Sequence, residues 1–415
     1  MRISGCRPPD RPWLAGRVSA DGSNTDPVQP MLPGVDFPDG VPILTDGHVL
    51  LRAHTKADLA RIVEQCRDPE SIHWTTVPLD YGRRMARGYL AEIRTDWQQA
   101  DSVRSWAIVE ANAPGTFLGT IDIRPRGAGI AEVGFGLHPH GRHRHLMTGA
   151  LRLAARWWFD QGGIRLTWTA FRANFASWRV AHACGFTFHG VLPEYSDRRG
   201  EATSSYFASV GRDDDLFRPV TPWHEAPVLE NDRVRLRAWR DNDIDAMPES
   251  DSTPLHYLPP GNIPTRDTFP LWLLRRRERV MTGGVVNWCI TDPVTDTALG
   301  AVVLILDRNE PGAGELGYFL FESARGRGLA SAAAGLATGF ALRPATEDGL
   351  GLRRLVAVTV GDNEASARVL EKLGFTEWGR EPQACARVDD TFDDARHWAL
   401  LPHGLGKTEG SDPAG

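Results

Sequence analysis

The alternation of apolar and polar residues sets out one series of elements twice. Val49-Leu50-Leu51 and Val234-Arg235-Leu236 have strand character, and each leads into a helix with Asp and Leu or Ile at helical spacing. A proline-bearing loop and a second helix follow. The pattern then predicts strands at 106–110, 117–123 and 131–137, and again at 287–291, 298–306 and 314–320. A long helix comes after each third strand. "LTWTAF" and "LVAVTV" are short, apolar and β-branched, as buried strands are. "SWRVAHACGF" and "ASARVLEKLGF" each read as a helix closed by glycine just past its last turn. The order β-α-α-β-β-β-α-β-α-β-β predicts an α/β fold, a mixed sheet with helices on both faces, in each of two tandem domains.

The recurrence extends to individual residues. "HVLLRAHTKADLARIVE" (48–64) returns as "RVRLRAWRDNDIDAMPE" (233–249), with Arg52 on Arg237. "AEVGFGL" (131–137) returns as "GELGYFL" (314–320), with Glu132 on Glu315. "RANFASWRVAHACGF" (172–186) returns as "VGDNEASARVLEKLGF" (360–375), with Asn174 on Asn363 and Ser177 on Ser366. Offsets that drift only between 183 and 189 indicate duplication. The expected domains are 41–212 and 227–403, joined by a linker at 213–226 that carries an Asp run and prolines. Residues 1–40, rich in Pro, Gly and Asp, read as a disordered leader, and 404–415 as a flexible tail.

Bulk composition narrows the function classes. A length of 415 residues exceeds one ordinary core, in keeping with two domains. A net charge of −6 gives no electrostatic footprint for nucleic acid. Five widely spaced cysteines without a CxxC argue against a disulfide framework and for a reducing, cytoplasmic compartment. No apolar run approaches a membrane span, and no apolar stretch follows Arg2 and Arg7 to make a signal peptide.

Four of the thirteen histidines, His138, His140, His143 and His145, crowd into "HPHGRHRHLMTGA" (138–150). Aligned through the two glutamates, "GRHRHLMTGA" (141–150) falls on "ARGRGLASAA" (324–333). Arg142 meets Arg325, His143 meets Gly326, and His145 meets Gly328. A glycine loop between a strand and a helix lets the backbone take unusual φ and lets a phosphate approach the free amides of the helix start. Arg325 and Arg327 add positive charge. The implied ligand is a di- or polyphosphate; the plainer reading is a tight strand–helix turn. Zinc needs three or four ligands in a closed geometry, and Arg142 and Arg144 would repel a cation. No metal site is therefore expected. The histidines read as residues that displaced glycines, at a cost of roughly 1–2 kcal/mol for each forced to positive φ.

The order R-x-x-G-x-A after a strand, followed by N-x-x-S-x-x-V-L-x-K-L-G-F, resembles the GNAT acyltransferases. It is most similar to their branch that acetylates ribosomal-protein N-termini. The resemblance covers both copies and implies acetyl-CoA as co-substrate. It implies that backbone amides from Arg325 through Gly326, Arg327, Gly328 and Leu329 to Ala330 hold the pyrophosphate, with Arg142 as the first-copy counterpart. Phe319 and Phe321 would pair with the pantetheine arm as an added strand, and Asn363 (Asn174 in the first copy) would hydrogen-bond it from the other side. An N–H near Phe319 would serve the oxyanion. Glu315 is the expected general base, a role worth roughly 10²–10⁴-fold in rate; its plainer role is a structural carboxylate. Ser366 is the expected proton donor to the thiolate, with helix N-capping as its rival role. Glu132 and Ser177 are their counterparts.

The expected activity is transfer of an acetyl group to a primary amine of a small molecule or a protein, chiefly in the second copy. The rival is an acyl-CoA-binding regulatory or scaffold protein without turnover. The first copy is then a weak second enzyme or a degenerate domain. Trp74 with Pro78, and Tyr257 with Pro259, stand where an aromatic wall would suit the acceptor or simply cover a helix–sheet seam. The sequence leaves the acceptor, the acyl length and the oligomeric state open.

Overall fold

The computed structural model describes residues 40–249, 262–306, 310–387 and 391–402. The leader up to residue 39, the tail, and Tyr257 with Pro259 lie outside the described residues. The chain divides into two compact units between Val220 and Thr221.

In the first unit Leu44–Thr45 (β1) and Val49–Arg52 (β2) precede the helices Leu59–Arg67 (α1), Pro69–Trp74 (α2) and Arg83–Trp97 (α3). Arg104–Glu110 (β3), Gly119–Gly127 (β4) and Ile130–Leu137 (β5) form a meander. Leu146–Asp160 (α4), Arg165–Phe171 (β6) and Phe175–Ala183 (α5) follow, and the hairpin Thr187–Arg198 (β7) and Glu201–Gly211 (β8) closes the unit. The second unit repeats the plan. It runs through Leu229–Glu230 (β9), Arg235–Arg237 (β10), Phe269–Met281 (α6), Val285–Thr291 (β11), Ala298–Leu306 (β12) and Ala313–Leu320 (β13). Then come Leu329–Leu342 (α7), Arg354–Val360 (β14), Glu364–Lys372 (α8), Thr376–Ala386 (β15) and Phe392–Leu400 (β16).

Among the described residues each unit carries one eight-stranded sheet. The orders are β1-β2-β3-β4-β5-β6-β8-β7 and β9-β10-β11-β12-β13-β14-β16-β15. Only β5 with β6 and β13 with β14 run parallel, as the mixed sheet requires. Alternation along the strands sends residues to two cores. In the second unit Trp288, Ile290, Val302 and Leu316 pack with Ala333, Ala337 and Phe340 of α7. Cys289 and Ala301 point the other way, to Phe269, Trp272 and Leu273 of α6 and to Trp239. No helix among the described residues is long and apolar enough to cross a membrane.

The repeated "LRA" stretches have a structural cause. Arg237 grips Asp243 through two hydrogen bonds of 2.9 and 2.7 Å, both groups buried, and Asp243 also accepts the Arg240 N–H at 2.7 Å. Arg52 and Asp58 do the same in the first unit, at 2.8 Å each. A buried fork of this kind ties a strand end to the following helical turn, and removing one partner would strand the other charge. The segment 213–226 is mostly exposed but is anchored at a few points. Leu216 is buried, and Arg152 and Arg156 stack on Phe217. Pro222 runs so close to Gly283 that a Cβ there would sit 2.4 Å from its carbonyl oxygen.

Candidate active site

The two parallel strands of the second unit pair only where Ala313–Glu315 faces Arg354–Val356. β13 then continues along β12 to Leu320, and β14 continues along β16 to Val360. A wedge opens immediately after Glu315, and one edge of β13 loses its neighbour. In the first unit β5 and β6 part in the same way after Val133 and Trp168. Backbone direction decides which groups that edge offers. The Phe321 N–H donates to Leu299 O at 2.8 Å, on the β12 side. Groups alternate along a strand, so Phe319 faces β12 as well. The outward donors and acceptors belong to Tyr318 and Leu320, and Leu320 O already accepts from Arg325 Nε at 3.1 Å. The edge expected at Phe319 and Phe321, with its oxyanion N–H, therefore shifts by one residue.

At the mouth of the wedge the chain turns twice through the left-handed region. Gly326 and Gly328 both have φ of +71°, and α7 begins at Leu329. The loop from Arg325 to Gly328 is exposed, so the first amides of α7 open toward solvent. The guanidinium of Arg233 holds it from behind by donating to Arg327 O. A Cβ at Gly326 would meet nothing, whereas one at Gly328 would come within 3.2 Å of Arg233.

The first unit keeps this turn with the wrong residues. His143 and His145 sit at φ of +57°, and α4 begins at Leu146. Each pays about 1–2 kcal/mol to do so. His48 stands where Arg233 does, its Nε2 at 3.4 Å from Arg144 O. The two arginines are engaged elsewhere: Arg142 pairs with Asp68, and Arg144 pairs with Glu110. His138 is buried, with Nε2 at 3.0 Å from Glu64 and Nδ1 accepting from Arg61 Nη2 at 3.1 Å. Burial holds it below the usual imidazole range despite Glu64. It clamps α1 to the end of β5, and its counterpart Phe321 belongs to an apolar cluster. Among the described residues no group of His, Cys, Asp and Glu is placed to hold a metal ion.

The two glutamates stand in opposite surroundings. Glu132 accepts from Thr169 Oγ1 at 3.0 Å, is paired with Arg126, and has Arg124 Nη1 at 3.9 Å. Arg124 also binds Asp122 at 2.7 Å, and burial pushes the Asp122 carboxyl above the usual carboxylate range against that pull. Around Glu315 the cross-strand partners are Ile305 and Val356, with Val303 and Val358 one step along the same face. Glu315 is half-buried, and no described residue gives it a hydrogen bond or an ion pair. The replaced positions were visible as an alternating pattern. "GTIDIR" (119–124) becomes "GAVVLI" (300–305), which turns Thr120, Asp122 and Arg124 into Ala301, Val303 and Ile305. Sequence reasoning passed over it because it compared motifs and not the face between them.

At the other wall of the wedge, Asn363 caps α8 by accepting the Ser366 N–H at 3.0 Å, and Asn174 caps α5 from Ser177 at 3.1 Å. The capping residue is the asparagine in both units. Asn363 thus spends Oδ1 on the helix and keeps its amide NH₂ for other partners. Ser366 Oγ lies 2.8 Å from the Tyr318 hydroxyl, a contact the sequence gave no sign of. Burial pushes that phenol up to about 12, partly offset by the Ser366 hydrogen bond, so it stays protonated at neutral pH. The first unit has Phe135 there, and Ser177 Oγ accepts from Trp168 Nε1 at 3.1 Å. Trp74 is half-buried on α2 and donates to Glu70 one turn earlier at 3.1 Å.

The profile of the acetyltransferase (GNAT) domain matches residues 48–187 and again 233–376. No curated protein matches the chain. Among solved structures, the chain is similar to the ribosomal-protein-S5-alanine acetyltransferase from Vibrio fischeri at 18% identity, over 43% of this chain and 99% of that one, with a TM-score of 0.37. It is similar to Mycobacterium smegmatis RimJ in complex with CoA-disulfide at 17%, over 42% and 90%, with a TM-score of 0.38. The microcin C7 self immunity acetyltransferase MccE, in complex with acetyl-CoA and AMP, is 16% identical over 40% and 93%, with a TM-score of 0.37.

Proposed function

The chain belongs to the GNAT acetyltransferase family with its domain in tandem, and from that premise we propose that the second domain moves an acetyl group from acetyl-CoA to a primary amine. The observation that carries this reading is the wedge that opens beside a half-buried Glu315 with no partner among the described residues, with a doubly left-handed glycine loop at its mouth. The residues suit the co-substrate. Amides from Gly326 to Ala330 and the dipole of α7 take the pyrophosphate. Tyr318 and Leu320 offer their free edge to the pantetheine arm as an added strand would, and the Asn363 amide faces it from α8.

Glu315 removes a proton from the ammonium so that the amine nitrogen attacks the thioester carbon. The carbon–nitrogen bond forms, the carbon–sulfur bond breaks, Ser366 gives its hydroxyl proton to the departing thiolate, and the second proton of the attacking nitrogen returns to the Ser366–Tyr318 pair, which leaves a neutral amide, a free thiol and the first proton on Glu315. Tyr318 holds Ser366 and, being protonated, can resupply that proton. The outward N–H of Tyr318 or Leu320 serves the developing oxyanion. For the first domain a second reading is favoured, because Glu132 is held by Arg126 and Thr169. That domain binds a ligand or supports its neighbour without turnover.

The full chain incubated with labelled acetyl-CoA and a panel of small amines and peptides tests this. Thiol release should equal acetylated amine, counted by mass, and should fall by roughly 10²–10⁴-fold with Glu315→Gln. Protection by acetyl-CoA against heat with no acetylated product would favour the carrier reading. The absence of both would end the proposal.

A further inference from the structure

The sheet face that carries Glu315 also carries a buried amide that nothing satisfies. Asn287 on β11 is 6% exposed, its Oδ1 is buried, and no described residue hydrogen-bonds its side chain. An unpaired buried amide is costly, and native structures keep few of them. Alternation puts Asn287 on the side of Cys289, which packs under α6. Glu315 is on that side too, since Leu316 turns to α7. The register gives the row: Asn287 faces Val303, and Val303 faces Gly317. Val285, Ile305 and Glu315 form the row before it. Trp239 packs with Cys289 and Ala301 of the row after it, and its buried Nε1 also has no partner. Of the other described side chains in this domain with a buried unbonded polar atom, Thr338 lies on α7 and Arg354 has Glu310.

Between Asn287 and the wedge the row forms a trough. Gly317 has no side chain, and Val303, Ile305, Glu315 and Gly317 are all partly exposed. A Cβ on Gly317 would meet only Val303 Cγ1, at 3.1 Å. In the first domain Ser105, Asp122 and Gly134 make the same row, and a Cβ on Gly134 would collide with the Arg124 guanidinium. There the trough is filled; in the second domain Ile305 replaces Arg124 and leaves it open. Strands stand about 4.8 Å apart, so the Asn287 Cα is about 10 Å from the Gly317 Cα across β12. Taking off the Asn287 side chain and one hydrogen bond of about 2.9 Å leaves room for roughly four to six bonds of acceptor. Asn287 and Trp239 carry no charge, and the floor of Val303 and Ile305 is apolar. The group that fits them is a neutral hydroxyl or carbonyl on a short apolar stem. We propose that Asn287 selects the acceptor, a primary amine with such a group at the far end of its stem, and so holds the amine at Glu315. This inference rests on the acetyl-transfer reading.

Two amines of equal length test it on the full chain, 4-aminobutanol and pentylamine, with acetylated product counted by mass. The native chain should favour the amino alcohol about 10–100-fold in kcat/KM, chiefly through KM, and Asn287→Leu should bring the ratio near one. Asn287→Ser, which copies Ser105, should lower the preference too, so the test does not depend on one variant. Stability separates selection from a structural role. Removing an unpaired buried amide should raise the melting temperature of the second domain by about 2–4 °C in Asn287→Leu. Equal use of both amines by the native chain, or a preference that survives both variants, would overturn this inference and leave acetyl transfer standing. A lower melting temperature in Asn287→Leu with the preference intact would do the same and make Asn287 structural. Acetylation of no amine at all would remove the transfer reading, and this inference with it.

Discussion

The two domains share strand order, parting strands, loop geometry and helix caps, yet the sheet face beside the wedge is charged in one and greasy in the other. His54, Thr120, Asp122, Arg124 and His138 of the first domain stand where the second has Trp239, Ala301, Val303, Ile305 and Phe321. Glu132 is held in place by Arg126 and Thr169, which suits structure. Glu315 lies beside valine and isoleucine and has no partner among the described residues, which supports the proposal that it is the base. The duplicated motif therefore does not imply duplicated chemistry.

The largest test of this difference is a matched pair of substitutions. Glu315→Gln should lower kcat/KM by roughly 10²–10⁴-fold, whereas Glu132→Gln should leave thiol release unchanged. Equal losses would erase the distinction. Stability against pH comes next. Burial lowers the His54 pKa to about 4, with Asp58 pulling the other way. The unfolded chain then binds a proton that the folded one refuses between about 6.5 and 4, so the first domain loses stability as pH falls through that window, by on the order of 2–3 kcal/mol. The raised Asp122 works in the opposite sense from about pH 3.9 upward. The second domain has Trp239 at this place and should show no such slope. Denaturant unfolding followed by domain-resolved amide exchange at pH 7 and 5, with His54→Asn as control, measures it.

A smaller effect is expected at the loop. Gly328→His imposes the first domain's strain on the second and pushes against Arg233, so acetyl-CoA affinity by calorimetry should weaken about tenfold. Unchanged affinity would mean that the histidines of the first domain are no obstacle to a phosphate. The smallest expected effect belongs to Tyr318→Phe, which copies Phe135. Loss of its bond to Ser366 should lower kcat about two- to tenfold with KM nearly unchanged. A change in KM alone would reassign Tyr318 to binding.

The hydrophobic pattern and the internal repeat were enough to lay out both sheets, because strand and helix periods are local properties. Gly326 and Gly328 were readable for the same reason: a left-handed turn leaves its mark at single positions, and His143 and His145 fall on the matching ones. The partners of charged groups were not readable. Arg142 meets Asp68 from 74 residues away, and Arg124 meets Glu132 only through the β4–β5 register. Tyr318 reaches Ser366 across 48 residues, and the switch of the strand edge from Phe319 to its neighbours follows from one hydrogen bond, Phe321 to Leu299. Such contacts depend on register and on packing between distant elements, which no local period encodes. The amino-acid sequence by itself determined two copies of one α/β fold with a left-handed strand–helix loop in each; only the tertiary structure decided which of the two glutamates is tied down by neighbours and which has no partner among the described residues.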